Sequence, residues 1–185
     1  MAAQEVYAFK HVLVRDAAYA GLLKSRRAHL HAKIASVIEQ RFPEIVEAEP
    51  ETLAHHLTEA GLVKEAVGYW LRAGRNAAAR CTNLEVIAHL RRGIETLSKL
   101  AQGPTSDGLD LDLQLALGPC LIATQPTSSA AAATFARARQ LCERLGDPPE
   151  YLRVLHWLMV ALSLRGELPQ GREASVALLG LAEAR

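Results

Sequence analysis

Residues 70–93, which read WLRAGRNAAARCTNLEVIAHLRRG, decide the fold expected for this chain. They join two runs, 63–81 and 83–99, whose apolar residues have the three-and-four spacing of amphipathic helices. Between the runs, Thr82 and Glu85 have the spacing of a capping box, in which each side chain satisfies a backbone amide at a helix start. The stretch therefore predicts two consecutive helices joined by a tight connection.

Small residues occupy the faces on which these two helices would meet. The first helix carries the pattern Trp70-x2-Ala73-Gly74-x2-Ala77, and the second carries Val86-x3-Leu90-x2-Gly93. A small residue lets two helices approach closely, whereas a bulkier side chain would force them apart and open voids elsewhere. We therefore expect Gly74 to be a close contact between helix 63–81 and its neighbour.

Further helical runs along the chain predict a series of such pairs. They are expected at 9–23, 26–42, 51–60, 109–123, 130–145, 150–165 and 169–184. In the second of these runs, Leu30, Ile34, Val37 and Ile38 follow the spacing of one apolar face. Gly61 and Gly146 are expected to end helices, because glycine accepts the left-handed conformation common after a helix. Residues 43–50 are expected to form a short connection, and residues 103–108 a loop.

These spacings resemble the tetratricopeptide repeat, with Ala131-x3-Phe135-x2-Ala138 as a second match to its small-large-small pattern. Pairs that start near 63, 108 and 150 repeat at about 45 and 42 residues, which is longer than the regular repeat of about 34 residues. The register is open, because residues 53–73 fit the same pattern shifted by one helix. The expected fold class is all-α, a stack of antiparallel helical hairpins that forms an α-solenoid fragment, with an irregular helical bundle as the alternative.

Composition and charge narrow the possible settings and partners. Alanine occurs 32 times and leucine 29 times in 185 residues, which favours helices over strands. The formal net charge of +1 gives no general attraction to nucleic acid or anionic lipid. No uncharged apolar stretch is long enough to span a bilayer. From the charge and from this absence together, we expect neither a nucleic-acid nor a membrane partner. Cys81, Cys120 and Cys142 are interpreted as small helix-packing residues in a reducing cytoplasm.

An ordered series of motifs near the front of the chain carries a family resemblance. It begins with Phe9-Lys10-His11-x-Leu13-Val14-Arg15-Asp16-Ala17-Ala18-Tyr19 and continues through Pro50-Glu51-x-Leu53-Ala54-His55-His56 to Tyr69-Trp70-x2-Ala73-Gly74. Over about residues 7–100, the series resembles the tetratricopeptide-like C-terminal region of bacterial STAND/AAA-type ATPase signalling proteins. Many of those proteins also carry an adenylate/guanylate cyclase domain. Similar segments occur in large ATP-dependent transcriptional activators.

The resemblance implies a regulatory protein-interaction scaffold in a multidomain, ATPase-coupled bacterial signalling protein. The alternative is a helical effector or oligomerisation region of an ATP-dependent transcriptional activator. Residues 1–24 would be a junction helix left from an upstream module, and residues 25–185 would be the repeat domain. The implied partner is another protein or the chain's own upstream ATPase module. We expect no enzymatic activity and no cofactor in this segment, since the Gly-Lys dipeptide of a Walker A motif is absent from it.

The predicted front helix, 9–23, carries two apolar stripes, one on each of two sides. The candidate interdomain contact is the second stripe, formed by Val14, Ala18, Tyr19 and Leu22. A helix that is apolar on two sides is normally covered on both. Because exposed apolar patches drive association, we expect the isolated chain to form a homodimer through this stripe.

Two histidine motifs, His29-x-His31 and His55-His56, invite a zinc-site interpretation. Helix positions i and i+2 lie roughly on opposite sides, and adjacent positions diverge by about 100°, so neither motif offers two ligands to one metal. One histidine from each motif could meet across helices, but no cysteine or carboxylate pattern supports a site. We interpret the four histidines as packing and capping residues and expect no bound metal.

Overall fold

The computed structural model describes Ala17 and residues 19–183, and these residues form helices and no strand. The all-α class is thereby confirmed for this part of the chain. Ala17, Tyr19 and Ala20 are helical ahead of the first long helix. The helices that follow are α1 (Lys24–Arg41), α2 (Pro43–Ala48), α3 (Pro50–Ala60), α4 (Val63–Ala79), α5 (Asn83–Leu97), α6 (Pro104–Thr124), α7 (Ser129–Leu145), α8 (Tyr151–Leu164) and α9 (Leu168–Glu183).

Glycine ends two helices at the positions that the sequence predicted. Gly61 follows α3 with φ 78°, and Gly146 follows α7 with φ 80°. Both values lie in the left-handed region, where the absence of a Cβ atom removes the usual steric cost. Local sequence signals are therefore enough to place these helix ends.

The prediction of a loop over residues 103–108 is wrong, because α6 begins at Pro104. Proline suits the first turn of a helix, where its missing N–H would have no helical partner. The Ser106 hydroxyl accepts a hydrogen bond from the Gly103 N–H at 2.9 Å and so satisfies one of the first backbone donors. The expected plain connection over residues 43–50 likewise contains the short helix α2, which also has proline in its first turn.

The predicted capping box at the start of α5 does not form, although α5 begins at Asn83 as expected. The Thr82 hydroxyl donates to the Ala77 carbonyl oxygen at 3.0 Å and lies 2.9 Å from Glu85 Oε2. It therefore closes the end of α4 instead of accepting a backbone amide of α5. The connection is tight as predicted, but the Thr82 hydroxyl contacts the Ala77 carbonyl oxygen and the Glu85 carboxylate in place of a backbone amide of α5.

The helices pack in sequence order as consecutive pairs. The most extensive contacts join α4 with α5 and α6 with α7, and the contacts of α8 with α9 and of α3 with α4 come next and are equal in extent. The contacts of α5 with α6 and of α7 with α8 link one pair to the next, and smaller contacts join α4 to α6 and α6 to α8. At the front, α3 lies between α1 and α4. One large apolar cluster runs from α4 to α9, and a separate cluster joins α1, α2, α3 and α4.

Three glycines allow the closest approaches between these helices. A Cβ atom at Gly74 would lie 2.7 Å from Leu90 Cδ2, which confirms Gly74 as a close contact between α4 and α5. At Gly93 it would lie 2.9 Å from a Leu113 methyl carbon of α6. At Gly118 it would lie 2.2 Å from the Phe135 ring of α7. Side chains of successive helices thus fill the space that these glycines leave.

The cysteines differ in environment, and one of them contradicts the packing interpretation. Cys142 is fully buried in the core, where burial raises the pKa of its thiol to about 11 and makes it a poor nucleophile at neutral pH. Cys120 is half-buried, and burial also raises its pKa. Cys81, in contrast, is exposed in the connection between α4 and α5 with φ 58°, so it packs against no helix core.

Candidate interaction surface

Helix α1 leaves a row of apolar side chains partly exposed. Leu30, Ile34 and Val37, here called the α1 stripe, are 40%, 42% and 39% exposed. Their spacing is that of an apolar face, which in a helix of a globular protein normally points to the core. The buried residues of α1 are instead His31 and Ala35. His31 and Ala35 therefore form the most buried side of α1 and Ile38 packs beside them, whereas Leu30, Ile34 and Val37 stay partly exposed.

The structure describes two of the four residues predicted to form the interdomain contact. Tyr19 is 40% exposed, Leu22 is half-buried, and the neighbouring Leu23 is 76% exposed. Val14 and Ala18 lie outside the described residues. Tyr19 and Leu23 extend the exposed apolar surface at the start of α1, but whether a second domain or a second copy covers it stays a prediction.

A comparable apolar surface lies on α9. Leu168, Val176 and Leu179, here called the α9 stripe, are 67%, 62% and 63% exposed. Leu168 and Val176 also line an open groove of about 730 Å³ on this helix. The α1 and α9 stripes thus lie on the first and the last of the long helices that the structure describes.

Beside the α1 stripe, His31 of α1 meets His56 of α3. The two Nδ1 atoms are 2.8 Å apart, and the Nε2 atom of His31 lies 2.9 Å from the Tyr19 hydroxyl. The His55 ring lies 5.8 Å from the His31 ring between centroids. The Arg27 guanidinium lies over the Tyr19 ring, 5.2 Å from its centre. These contacts tie the segment before α1, the first turns of α1 and the middle of α3 together.

Burial is the main influence on the acid–base behaviour of this pair. It lowers the pKa of His31, against the opposing field of Glu59 and with the help of His55 and Arg27. It also lowers the pKa of His56, and the neighbouring His31 and His55 act in the same direction. The buried environment thus favours neutral imidazoles, which can accept as well as donate hydrogen bonds.

His31 comes from the first histidine motif and His56 from the second, so one histidine of each motif meets the other across two helices. His29, the other member of the first motif, is exposed on α1 and takes no part. In the part of the chain that the structure describes, no group of three or more His, Cys, Asp or Glu side chains could hold a metal ion. The direct contact between His31 and His56 is a hydrogen bond, whereas the exposed His29 does not fit the packing and capping interpretation.

A second polar cluster, which the sequence analysis did not identify, joins α6 to α7. Asp110 accepts hydrogen bonds from Gln114 at 2.8 Å and from the Arg137 guanidinium at 2.9 and 3.0 Å. The Asp110 side chain is 12% exposed. Asp110 and Gln114 are four residues apart on one helix, a spacing that does signal a local pair. Nothing in the sequence indicates that Arg137, on the next helix, completes the cluster.

Asp110→Ala is expected to lower the free energy of unfolding by about 2 kcal/mol, because it leaves the Gln114 amide and the Arg137 guanidinium without their acceptor. Asp112→Ala is the matched control, since Asp112 is exposed on the same helix. We expect that variant to stay within about 0.5 kcal/mol of the parent. Urea unfolding of the three proteins measures both effects, and equal midpoints would contradict a stabilising role for Asp110.

Over the residues that the structure describes, the chain is an all-α protein whose helices pack in sequence order, with partly exposed apolar faces on α1 and α9. No protein-family model and no solved structure matches the chain. It is similar to an uncharacterized protein of Rhizobium meliloti (strain 1021), with 28% identity over 188 residues that cover 93% of this chain and 18% of that protein. The chain thus spans about a fifth of the length of the relative that it matches.

None of the helices that the structure describes is both long enough and apolar enough to cross a membrane.

Proposed function

We propose that this chain is a cytoplasmic, regulatory protein-interaction scaffold within a larger ATPase-coupled signalling protein, of the kind that can be fused to an adenylate/guanylate cyclase domain. The resemblance of residues 7–100 supplies the class of protein. The observation that carries the proposal is the outward position of the α1 stripe. Its partner in this proposal is the upstream ATPase module of the same protein.

The exposed apolar surface supports a docking role because such surfaces seldom occur without a partner. Leu30, Ile34 and Val37 lie on one side of α1, and Leu23 continues their line at its start. Contiguous apolar patches on soluble proteins commonly mark interaction sites, whereas single exposed apolar residues are ordinary. The α9 stripe at the opposite end gives the scaffold a second surface of the same kind.

The helical pairs are further proposed to form a tetratricopeptide-like stack. The contacts of α4 with α6 and of α6 with α8 support this arrangement, because they join the first helices of consecutive pairs. The close contacts at Gly74 and Gly93 support it as well, since both occupy small-residue positions of the repeat pattern. In a stack of this kind each pair contacts only its neighbours, and these interfaces contribute to the stability of the whole.

Regulation by such a scaffold depends on unequal binding to two states of the ATPase module. If the α1 stripe binds the inactive state more tightly, docking lowers ATP turnover, and if it binds the active state more tightly, docking raises it. A stripe that binds both states equally would hold the module without regulating it. A substitution that weakens docking must therefore change the rate of ATP hydrolysis.

The test is Ile34→Glu in the full-length protein that contains this chain, with ATP hydrolysis as the measurement. Ile34 is 42% exposed, so a charge there should leave the fold intact while it opposes an apolar contact. We expect the ATP hydrolysis rate to change several-fold. Leu84→Glu is the matched control, because Leu84 is 75% exposed on α5 and lies outside both stripes.

The control should hydrolyse ATP at the parent rate. A full-length protein without ATP hydrolysis would overturn the proposed ATPase coupling. An Ile34→Glu protein with the parent rate would overturn the regulatory role of the α1 stripe. Circular dichroism of both variants establishes that the helices persist, so that a changed rate reports on docking and not on unfolding.

A further inference from the structure

Helix α1 is held to the rest of the described chain by a narrow buried face. Of its 18 residues, His31 and Ala35 are the buried ones. Its main contact is with α3, and a separate hydrogen bond joins Tyr69 of α4 to Glu39 of α1 at 2.9 Å. His31 is the buried polar group of α1, so its hydrogen bonds bear directly on how firmly the helix is docked.

The contact between His31 and His56 constrains where protons can sit. A hydrogen bond between two imidazole nitrogens needs one hydrogen between them. If His31 Nδ1 donates to His56, then His31 Nε2 accepts from the Tyr19 hydroxyl. If His56 donates, His31 Nε2 carries a hydrogen and donates to the Tyr19 oxygen. Either neutral arrangement satisfies both contacts.

The pair can hold one added proton but not two. A singly protonated His31 donates from Nδ1 to His56 and from Nε2 to Tyr19, so both contacts survive. With a second proton, both Nδ1 atoms carry hydrogens that point at each other across 2.8 Å. Two positive rings with centroids 5.0 Å apart also repel each other in a partly buried place. Double protonation therefore breaks the contact.

We propose that the hydrogen bond between His31 and His56 is a pH-sensitive latch, which holds α1 on α3 at neutral pH and loosens α1 in mildly acidic solution. Release moves the α1 stripe and Tyr19 relative to α3, because both are attached to the latch through α1 and His31. The latch concerns the contact between two helices of this chain, so its test does not depend on the proposed ATPase coupling.

The direction of the effect follows from the charges that face the latch. Arg27 of α1 and His55 of α3 oppose protonation of His31, and Glu59 of α3 favours it, but burial is the largest influence and lowers the pKa. The pKa of His56 is lowered too. Unfolded histidine has a pKa of about 6.5, so the unfolded or undocked state binds protons first as the pH falls. Docking is therefore full above about pH 6.5 and weakens below it.

Hydrogen–deuterium exchange of the whole chain tests the latch at about pH 7.5 and about pH 5.5, on either side of the ordinary histidine pKa of 6.5. Exchange is expressed as protection factors, which correct for the effect of pH on intrinsic exchange. We expect protection of residues 24–41 to fall about tenfold, because pH 5.5 lies about one unit below the ordinary histidine pKa and the docked pair cannot hold the second proton. Protection of residues 83–97 should stay constant. Equal protection of residues 24–41 at the two pH values would overturn the latch, as would a parallel loss in residues 83–97.

Two variants identify the groups responsible. The double substitution His31→Gln/His56→Gln removes both titrating rings and should abolish the pH dependence. If the double variant does not fold, His56→Gln alone serves in its place. It keeps an amide beside His31 and prevents the doubly protonated state, so it should also remove most of the pH effect. The matched control is His29→Gln, because His29 is exposed on the same helix. A control without the pH effect, or a His56→Gln protein with the full effect, would contradict the assignment.

Discussion

Gly118→Ala is expected to lower the free energy of unfolding by about 3 kcal/mol, although alanine is the better helix former by about 1 kcal/mol. A Cβ atom at position 118 would lie 2.2 Å from Phe135 Cζ and 2.6 Å from another ring carbon. Phe135 is 0% exposed, and its ring stacks on Trp157 with centroids 6.2 Å apart. Because the ring is buried and stacked, the new methyl group can be admitted only if the ring shifts against Trp157 or α6 and α7 move apart.

Thermal and urea unfolding measure this effect, and Gly108→Ala is the matched control. Gly108 lies in the same helix, but no atom of another side chain lies within 4 Å of a Cβ atom built there. That variant should gain up to about 1 kcal/mol from helix propensity. If both substitutions stabilise the protein, α6 and α7 do not approach each other closely at Gly118.

A double-mutant cycle assigns the cost of Gly118→Ala to Phe135. Phe135→Leu removes part of the ring volume and should itself destabilise the protein through the cavity that it leaves. In that background, Gly118→Ala should cost at least about 1 kcal/mol less than in the parent, because the new methyl group has room. Simple additivity of the two substitutions would show that the clash involves another group.

The sequence was sufficient for the helical pairs because the signals that define them are local. In residues 70–93, helical periodicity and small residues act within one or two turns of each other, and α4 and α5 form as expected. Gly61 and Gly146 are local in the same sense, since a glycine after an apolar run needs no distant partner to end a helix. The contact of Gly74 with Leu90 follows from the same short hairpin.

The outward position of the α1 stripe could not be predicted, because helical periodicity does not say which neighbour a face meets. The pattern of Leu30, Ile34 and Val37 is equally typical of a core face and of an interface with another module. What decides between them is the distant α3, which presents His56 to His31 and leaves Leu30, Ile34 and Val37 about 40% exposed. The candidate surface thus depends on contacts between residues about 25 positions apart.

The polar contacts were harder still to predict from the sequence, because they depend on side-chain geometry between helices. The two histidine motifs marked the residues involved, but only the packing of α1 on α3 selects His31 and His56 and excludes His29. Arg137 reaches Asp110 over a sequence separation of 27 residues. A charged residue on a helix surface carries no sequence mark that distinguishes such a partner from a solvated neighbour.

Gly74→Leu is expected to lower the free energy of unfolding by about 1–3 kcal/mol, with urea unfolding as the measurement. The first atom added would lie 2.7 Å from Leu90 Cδ2 and 2.9 Å from Leu90 Cγ. Leu90 is 0% exposed, so α4 and α5 must move apart to admit the new side chain.

Gly68→Leu separates this packing cost from helix propensity within the same helix. Gly68 is exposed on α4, and a Cβ atom there would have no neighbour within 4 Å. Leucine at position 68 should therefore leave stability unchanged or raise it by up to about 1 kcal/mol. The two glycines are six residues apart in one helix, so a difference of opposite sign between them can come only from what each position faces. A Gly74→Leu protein that melts at or above the parent temperature would show that α4 and α5 are not in close contact at Gly74, and would remove that position from the repeat pattern.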